Sequence, residues 1–243
     1  MARDFTLYNL IETTHYQWHE IIEEGLSAMD PAYLRQLELT DDWLPGKEAL
    51  FSAFSLPLDA TNYILLGESP YPRIQSANGY AFWDAAVSDI WSQSGLSKEV
   101  NRATSLRNFI KMLLLVKGDL SEDLSQQAIE KVDKTNYVQT ANEFFTGLIN
   151  RGFLLLNASL VYSEGQVKYH AREWRPFMSY LFKRLAEIKP SLQLILLGNI
   201  AKQLEETKPF SGLVAEHPYN LSFITNKNVQ NFFKHLDLLS VND

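Results

Sequence analysis

Six side chains stand out because together they could hold and polarise a flat, hydrogen-bonding ring: Glu68, Ser69, Tyr71, Phe82, Asn157 and His217. An aromatic face stacks on a planar ring, a carboxamide offers both an acceptor and a donor to its edge, and an imidazole beside a leaving group stabilises charge that builds there. They lie in four short segments. These are Gly67-Glu68-Ser69-Pro70-Tyr71-Pro72-Arg73, Asn78-Gly79-Tyr80-Ala81-Phe82-Trp83, Asn157-Ala158-Ser159-Leu160 and His217-Pro218-Tyr219-Asn220-Leu221-Ser222. Taken singly, each residue has an ordinary reading: a His before Pro is commonly a structural hydrogen-bonder, an Asn closing a strand is commonly a turn residue, and a lone Phe is core. Only their arrangement argues for a site.

Apolar runs place these segments. Tyr63–Gly67, Phe153–Asn157 and Leu192–Gly198 are short, nearly all apolar, and stop at Gly or Asn, as strands buried on both faces of a parallel sheet do. A weaker run spans Gly212–Ala215. Helical stripes lie between and after them: Leu106, Phe109, Ile110, Leu113 and Val116, with Thr104 or Ser105 as N-cap and Gly118 as stop; Trp174, Phe177, Met178, Leu181, Leu185 and Ile188; and Val229, Phe232, Phe233, Leu236 and Leu239. Strands alternating with helices imply a parallel α/β sheet with right-handed crossovers. Ligands of such sheets bind beyond the carboxyl ends of the strands, where the candidate residues fall.

Composition narrows the classes. The 243 residues are 46% hydrophobic and 12% aromatic, which excludes long disorder, and the absence of Cys excludes disulfides, iron–sulfur clusters and a thiol nucleophile. No metal-ligand spacing is present, and His15, His19, His170 and His235 read as surface or helix residues rather than ligands. The stretch Met1–Leu10 is polar, without the apolar core of a signal peptide, and no apolar run reaches the roughly 20 residues of a membrane span. A soluble cytoplasmic protein is expected, without a membrane partner. The net charge of −7 argues against a strongly phosphate-driven partner, yet Leu160–Asp243 carries 10 Lys/Arg against 8 Asp/Glu. No repeat, low-complexity tract or linker divides the chain, so residues 1–243 read as one domain.

The four segments, in this order, resemble the uracil-DNA glycosylases. Family 1 members carry Gly-Gln-Asp-Pro-Tyr-His, Gly-Leu-Ala-Phe-Ser, Leu-Leu-Leu-Asn and His-Pro-Ser-Pro-Leu-Ser, which Gly67–Pro72, Gly79–Trp83, Leu154–Asn157 and His217–Ser222 echo. Weaker echoes are Trp18-His19, Thr104-Ser105-Leu106-Arg107-Asn108 and Gly198-Asn199. The resemblance implies a three-layer α/β/α domain with a central four-stranded parallel sheet. It also implies a cofactor-free monomeric enzyme of base excision repair, working in a nucleoid-associated cytoplasmic or nuclear setting, that flips uracil out of single- or double-stranded DNA and hydrolyses its N-glycosidic bond. It assigns Phe82 to stacking on the flipped base, Tyr71 to excluding the methyl group of thymine, Asn157 to reading the uracil edge and His217 to stabilising the leaving base. Leu221 becomes the wedge into the duplex, and Ser105 and Ser222 the hydroxyls that grip phosphates.

The departures bear on chemistry. The family aspartate that takes a proton from the attacking water aligns with Ser69, the preceding Gln with Glu68 and the following His with Pro72. Serine cannot hold that proton at neutral pH, and general-base catalysis is worth about 10²–10⁴-fold, so reduced activity is expected. Glu68, matched locally by the Gly-Glu-Ala-Pro-Gly of family 4, and Asp84 are the carboxylates that could substitute. Tyr219 and Asn220 replace a small Ser and a Pro, so that Tyr219 either stacks on a base or blocks the groove. The family Gln-Ala-x-Ser-His loop survives only as Gln166–His170, where Lys168, with Arg172 and Arg175, could contact phosphate. Two alternatives stay open: a catalytically inactive or repurposed DNA- or protein-binding member, and a glycosylase for another modified base.

Overall fold

The computed structural model describes residues 6–199 and 204–241, so the first half of the polar stretch Met1–Leu10 lies outside the described residues. Strands β1 (Tyr63–Gly67), β4 (Phe153–Asn157), β5 (Gln193–Leu197) and β6 (Ser211–Ala215) form one parallel sheet in the order β4-β1-β5-β6, and β2 (Trp91–Ser92) and β3 (Gly95–Leu96) form a small antiparallel hairpin. The chain runs from β1 to one neighbour, β4, and returns to the other, β5, which leaves a crevice at the carboxyl ends of the strands.

The helices are α1 (His19–Ser27), α2 (Pro31–Leu39), α3 (Lys98–Arg102), α4 (Thr104–Lys117), α5 (Gln126–Glu130), α6 (Ala141–Asn150), α7 (Val167–Glu173), α8 (Arg175–Ile188), α9 (Ser222–Thr225) and α10 (Lys227–Phe233). The strands β1, β4 and β5 are nearly all apolar because both their faces are covered, whereas the edge strand β6 buries only Leu213 well. Ile64, Leu66, Leu154, Leu156, Leu194 and Leu196 pack with Trp18, Tyr33, Phe177 and Leu181 of one helical layer. Leu65, Leu155, Ile195 and Leu197 face Phe109, Phe144, Phe223 and Phe233 of the other. The three layers and the four-stranded parallel sheet are those expected from the sequence.

Local signals set the helix ends. Asp30 accepts from the Ala32 N–H ahead of Pro31 in α2, and a Thr140/Glu143 capping box starts α6. Gly118 takes φ +89° and closes α4. Three expectations shift. The N-cap of α4 is Ala103, so Thr104 and Ser105 lie inside the helix. The last stripe ends with α10 at Phe233, leaving Leu236 and Leu239 in the turns beyond. The polar N-terminal stretch hides one anchor, Leu7, buried with Ile11 just beyond it in a 3₁₀ turn. No helix among the described residues is long and apolar enough to cross a membrane.

Candidate functional site at the strand ends

A cavity of about 700 Å³ opens over the carboxyl ends of the sheet, lined by Glu68, Ser69, Tyr71, Phe82, Asn157 and His217, with Ser105 at its edge. The volume is that of a small-molecule site. Each strand end delivers one part, and the hydrogen-bond ladder continues past β1 and β4: the Ala158 N–H donates to the Gly67 carbonyl at 2.9 Å and the Ser159 N–H to that of Glu68 at 3.0 Å. The loop bearing Glu68 and Ser69 is thereby held against the loop that follows Asn157.

Asn157 is 3% exposed, yet its carboxamide takes no hydrogen-bond partner among the described residues, so donor and acceptor both remain for a ligand. Gly67 makes room for it. A Cβ there would lie 2.5 Å from Asn157 Oδ1 and 3.0 Å from the Ala81 Cβ, while the backbone is paired with Asn157 of β4 and the preceding Leu66 is held between β4 and β5. Gly67→Ala is therefore expected to rotate the carboxamide and lower turnover by about 10²-fold, the cost of misplacing a reacting group by about 1 Å. Turnover and melting temperature measured together check this, since the fold should change far less than the rate.

Phe82 reaches the cavity through strained backbone. Its φ of +63° lies in the left-handed region, which costs a bulky residue about 1–2 kcal/mol. Two contacts hold it: the Ala81 N–H donates to Leu155 O at 3.0 Å, docking the segment on the open edge of β4, and the Tyr71 hydroxyl donates to Phe82 O at 3.3 Å. The Phe82 ring then lies 5.9 Å from that of His217, inclined by 26°. Burial and the nearby Asp84 charge push the Tyr71 phenol up to about 12, so it stays a neutral donor. Asp84 itself is spoken for. It pairs with Arg73 at 3.0 Å and accepts from the Ala86 N–H at 2.9 Å, and it does not line the cavity, which removes it as a substitute base.

His217 is set as a neutral donor. The Tyr219 N–H donates to Nδ1 at 3.1 Å, which places the ring proton on Nε2. Burial lowers the imidazole pKa and the Glu68 charge opposes this. Gly198, at φ +79°, lets the β5 loop pass beneath it: a Cβ there would meet the His217 Cβ at 3.1 Å. One feature was marked in the sequence only as part of a weaker motif echo, and a second was not marked at all. Asn108, fully buried on the apolar face of α4, donates from Nδ2 to the Pro218 carbonyl at 2.7 Å and that of Tyr219 at 3.4 Å, tying the His217 loop to the helix. In the sequence it closes the Thr104–Asn108 echo of the family motif, which gave no hint of its partner. Glu216 also lines the cavity, its carboxylate accepting from Asn226 Nδ2 at 2.6 Å, and nothing in the sequence marked it.

Glu68 is exposed, lines the cavity and has no hydrogen-bond or ion-pair partner for its carboxylate among the described residues. Ser69 is half-buried beside it. Tyr219, Leu221 and Ser222 are exposed on the His217 loop and the short helix α9. Lys168 is not brought to the cavity; it is exposed on α7, whose buried His170 turns inward to bond the Tyr33 hydroxyl at 2.7 Å. A second cavity of about 760 Å³, beside α6, is lined by Tyr137, Asn142 and Arg151, but its cations already serve backbone carbonyls. No group of three His, Asp or Glu among the described residues is placed to hold a metal ion.

The comparisons with known proteins agree with this geometry. The model of the uracil DNA glycosylase superfamily matches residues 55–237, and the chain belongs to that superfamily. A uracil-DNA glycosylase of Corynebacterium glutamicum is 28% identical over 232 residues, 89% of this chain and 85% of that protein. One from Streptococcus mutans is 26% identical over 195 residues, 78% of this chain and 75% of its own. The crystal structure of a wild-type UNG from Nitratifractor salsuginis superposes with a TM-score of 0.90 at 39% identity, covering 97% of this chain and 96% of that one. Mimivirus uracil-DNA glycosylase shares the fold, with a TM-score of 0.58 at 18% identity over 88% of this chain and 72% of its own.

Proposed function

We propose that this protein removes uracil from DNA by hydrolysing the N-glycosidic bond, at a rate limited by Ser69, and that it acts as a monomer in the cytoplasmic compartment that holds the DNA. The observation that carries the reading is His217 fixed as a neutral Nε2–H donor in the same cavity as the unpartnered carboxamide of Asn157. A base inside a stack is out of reach, so the nucleotide must first turn out into the cavity. Its ring lies on Phe82, Asn157 reads the edge with one donor and one acceptor, and Tyr71 closes the side where thymine carries a methyl group.

As the bond between the sugar C1′ and the base nitrogen breaks, its electron pair leaves with the base and collects on the carbonyl oxygen facing His217, where the Nε2–H stabilises it. The sugar becomes cationic, so a water needs only modest activation to attack C1′. Its proton passes to the carboxylate of Glu68, with Ser69 positioning the water. The products are free uracil and an abasic site. In this reading Ser105, at the start of the 14-residue α4, and Ser222 grip phosphates of the turned-out strand.

The test is single-turnover incubation with oligonucleotides carrying uracil, thymine or other modified bases at one position. Abasic product from the uracil strand alone supports the reading; product from a different base reassigns the substrate. Glu68→Gln is expected to lower the uracil rate by about 10-fold or more, less than a fully placed base would lose, and an unchanged rate removes Glu68 from the reaction.

A further inference from the structure

Tyr219 is 67% exposed and Leu221 70% exposed, two positions apart on the loop that carries His217. Large apolar groups held in water gain by burial, so a pair kept exposed beside a cavity calls for a partner. The loop beneath them is rigid. The Tyr219 N–H bonds His217 Nδ1, the Asn220 N–H donates to the His217 carbonyl at 2.9 Å, and Asn108 grips the Pro218 and Tyr219 carbonyls from α4. Pro218 and Phe223 are buried on either side. The Tyr219 ring itself makes no ring contact and its hydroxyl no hydrogen bond among the described residues.

Charge points the same way. The chain carries −7 overall, and the cavity lining contains Glu68 and Glu216 but no Lys or Arg. The wall of the cavity thus offers no cation to displace counterions from phosphates, the usual source of DNA affinity. Stacking of bases on an aromatic ring does not depend on it and tolerates any sequence. We infer that Tyr219 is a second stacking residue, laying its ring on the base that flanks the turned-out nucleotide on the same strand, and that it supplies a large share of the DNA affinity. The inference rests on the glycosylase reading. Leu221 fills the vacated position while Tyr219 caps the neighbour, and because the Tyr219 N–H also sets the His217 tautomer, the stacked base and the polarising group share one rigid loop.

The experiment uses a single-stranded oligonucleotide with one 2′-fluorinated deoxyuridine, which resists cleavage, and 2-aminopurine on its 5′ or 3′ side. Wild type, Tyr219→Ala and Tyr219→Phe are titrated over a range of salt. Tyr219→Ala is expected to bind roughly 5- to 150-fold more weakly, with an unchanged slope of affinity against salt and an unchanged melting temperature, while Tyr219→Phe restores binding. The 2-aminopurine on one side should stay quenched with wild type and Phe and brighten with Ala. Wild-type affinity in Tyr219→Ala, or a salt slope that drops with it, overturns the inference. Uracil release from a cleavable strand, measured on the same proteins, separates the two readings: release by wild type with no effect of Tyr219→Ala sinks only the stacking role. Neither binding nor release by wild type sinks both.

Discussion

His217→Ala is expected to slow single-turnover uracil release by about 10²–10³-fold, the loss seen when one donor to a developing oxyanion is removed. The imidazole donates from Nε2 because the Tyr219 N–H occupies Nδ1, so its contribution comes from a neutral ring. That fixes the sign of the pH dependence. Burial holds the folded pKa below the ordinary value of 6.5, and acid that protonates Nδ1 sets two N–H groups against each other. The rate is therefore expected to be flat through neutral pH and to fall only below the ordinary imidazole range, a limb absent from His217→Ala. Stability follows the same linkage. The unfolded chain takes up the proton first, so the stability contributed by a neutral His217 is present above pH 6.5 and lost as the pH falls from there through the folded pKa. His170, buried against Tyr33 with its pKa lowered chiefly by burial, adds to the loss in the same window. Rate and melting temperature between about pH 5 and about pH 8 check both limbs.

Ser69→Asp is expected to move the rate in the opposite direction, upward by about 10²-fold, within the range of a general base. A serine hydroxyl holds a water in place without taking its proton. Glu68 can take it, but its carboxylate is exposed, solvated and carried on a longer side chain, which dilutes its effect. An aspartate at 69, half-buried and next to the same water, needs no such excursion. The comparison of single-turnover rates is direct, and no gain in Ser69→Asp would mean that the wild-type cavity already activates its water fully.

The sheet and the rim of the site were legible in the sequence because strands covered on both faces, such as Phe153–Asn157 and Gln193–Leu197, leave unbroken apolar runs that end where the ligand side begins. The motif order then placed Tyr71, Phe82, Asn157 and His217 around one cavity. What stayed hidden depends on backbone and long-range contacts. The positive φ of Phe82 comes from docking on the β4 edge, which no local pattern encodes. Asp84 looked as free as Glu68 until Arg73, 11 residues earlier, closed on it. Lys168 fell on the exposed face of a helix whose orientation is set by buried His170 and Trp174. The motif echo marked Asn108, but its tie to the His217 loop spans 110 residues and no local pattern encodes it.

The central claim is that this cavity breaks the glycosidic bond of uracil with His217 as its polarising group. Its most direct test is single-turnover release of uracil from a single-stranded oligonucleotide at stoichiometric protein and low salt, with wild type, His217→Ala and Ser69→Asp run side by side. The account predicts slow but complete release by wild type, at least about 10²-fold slower release by His217→Ala, and faster release by Ser69→Asp. An intact uracil strand after hours with wild type and Ser69→Asp alike would contradict it and leave the cavity a binding site without hydrolysis.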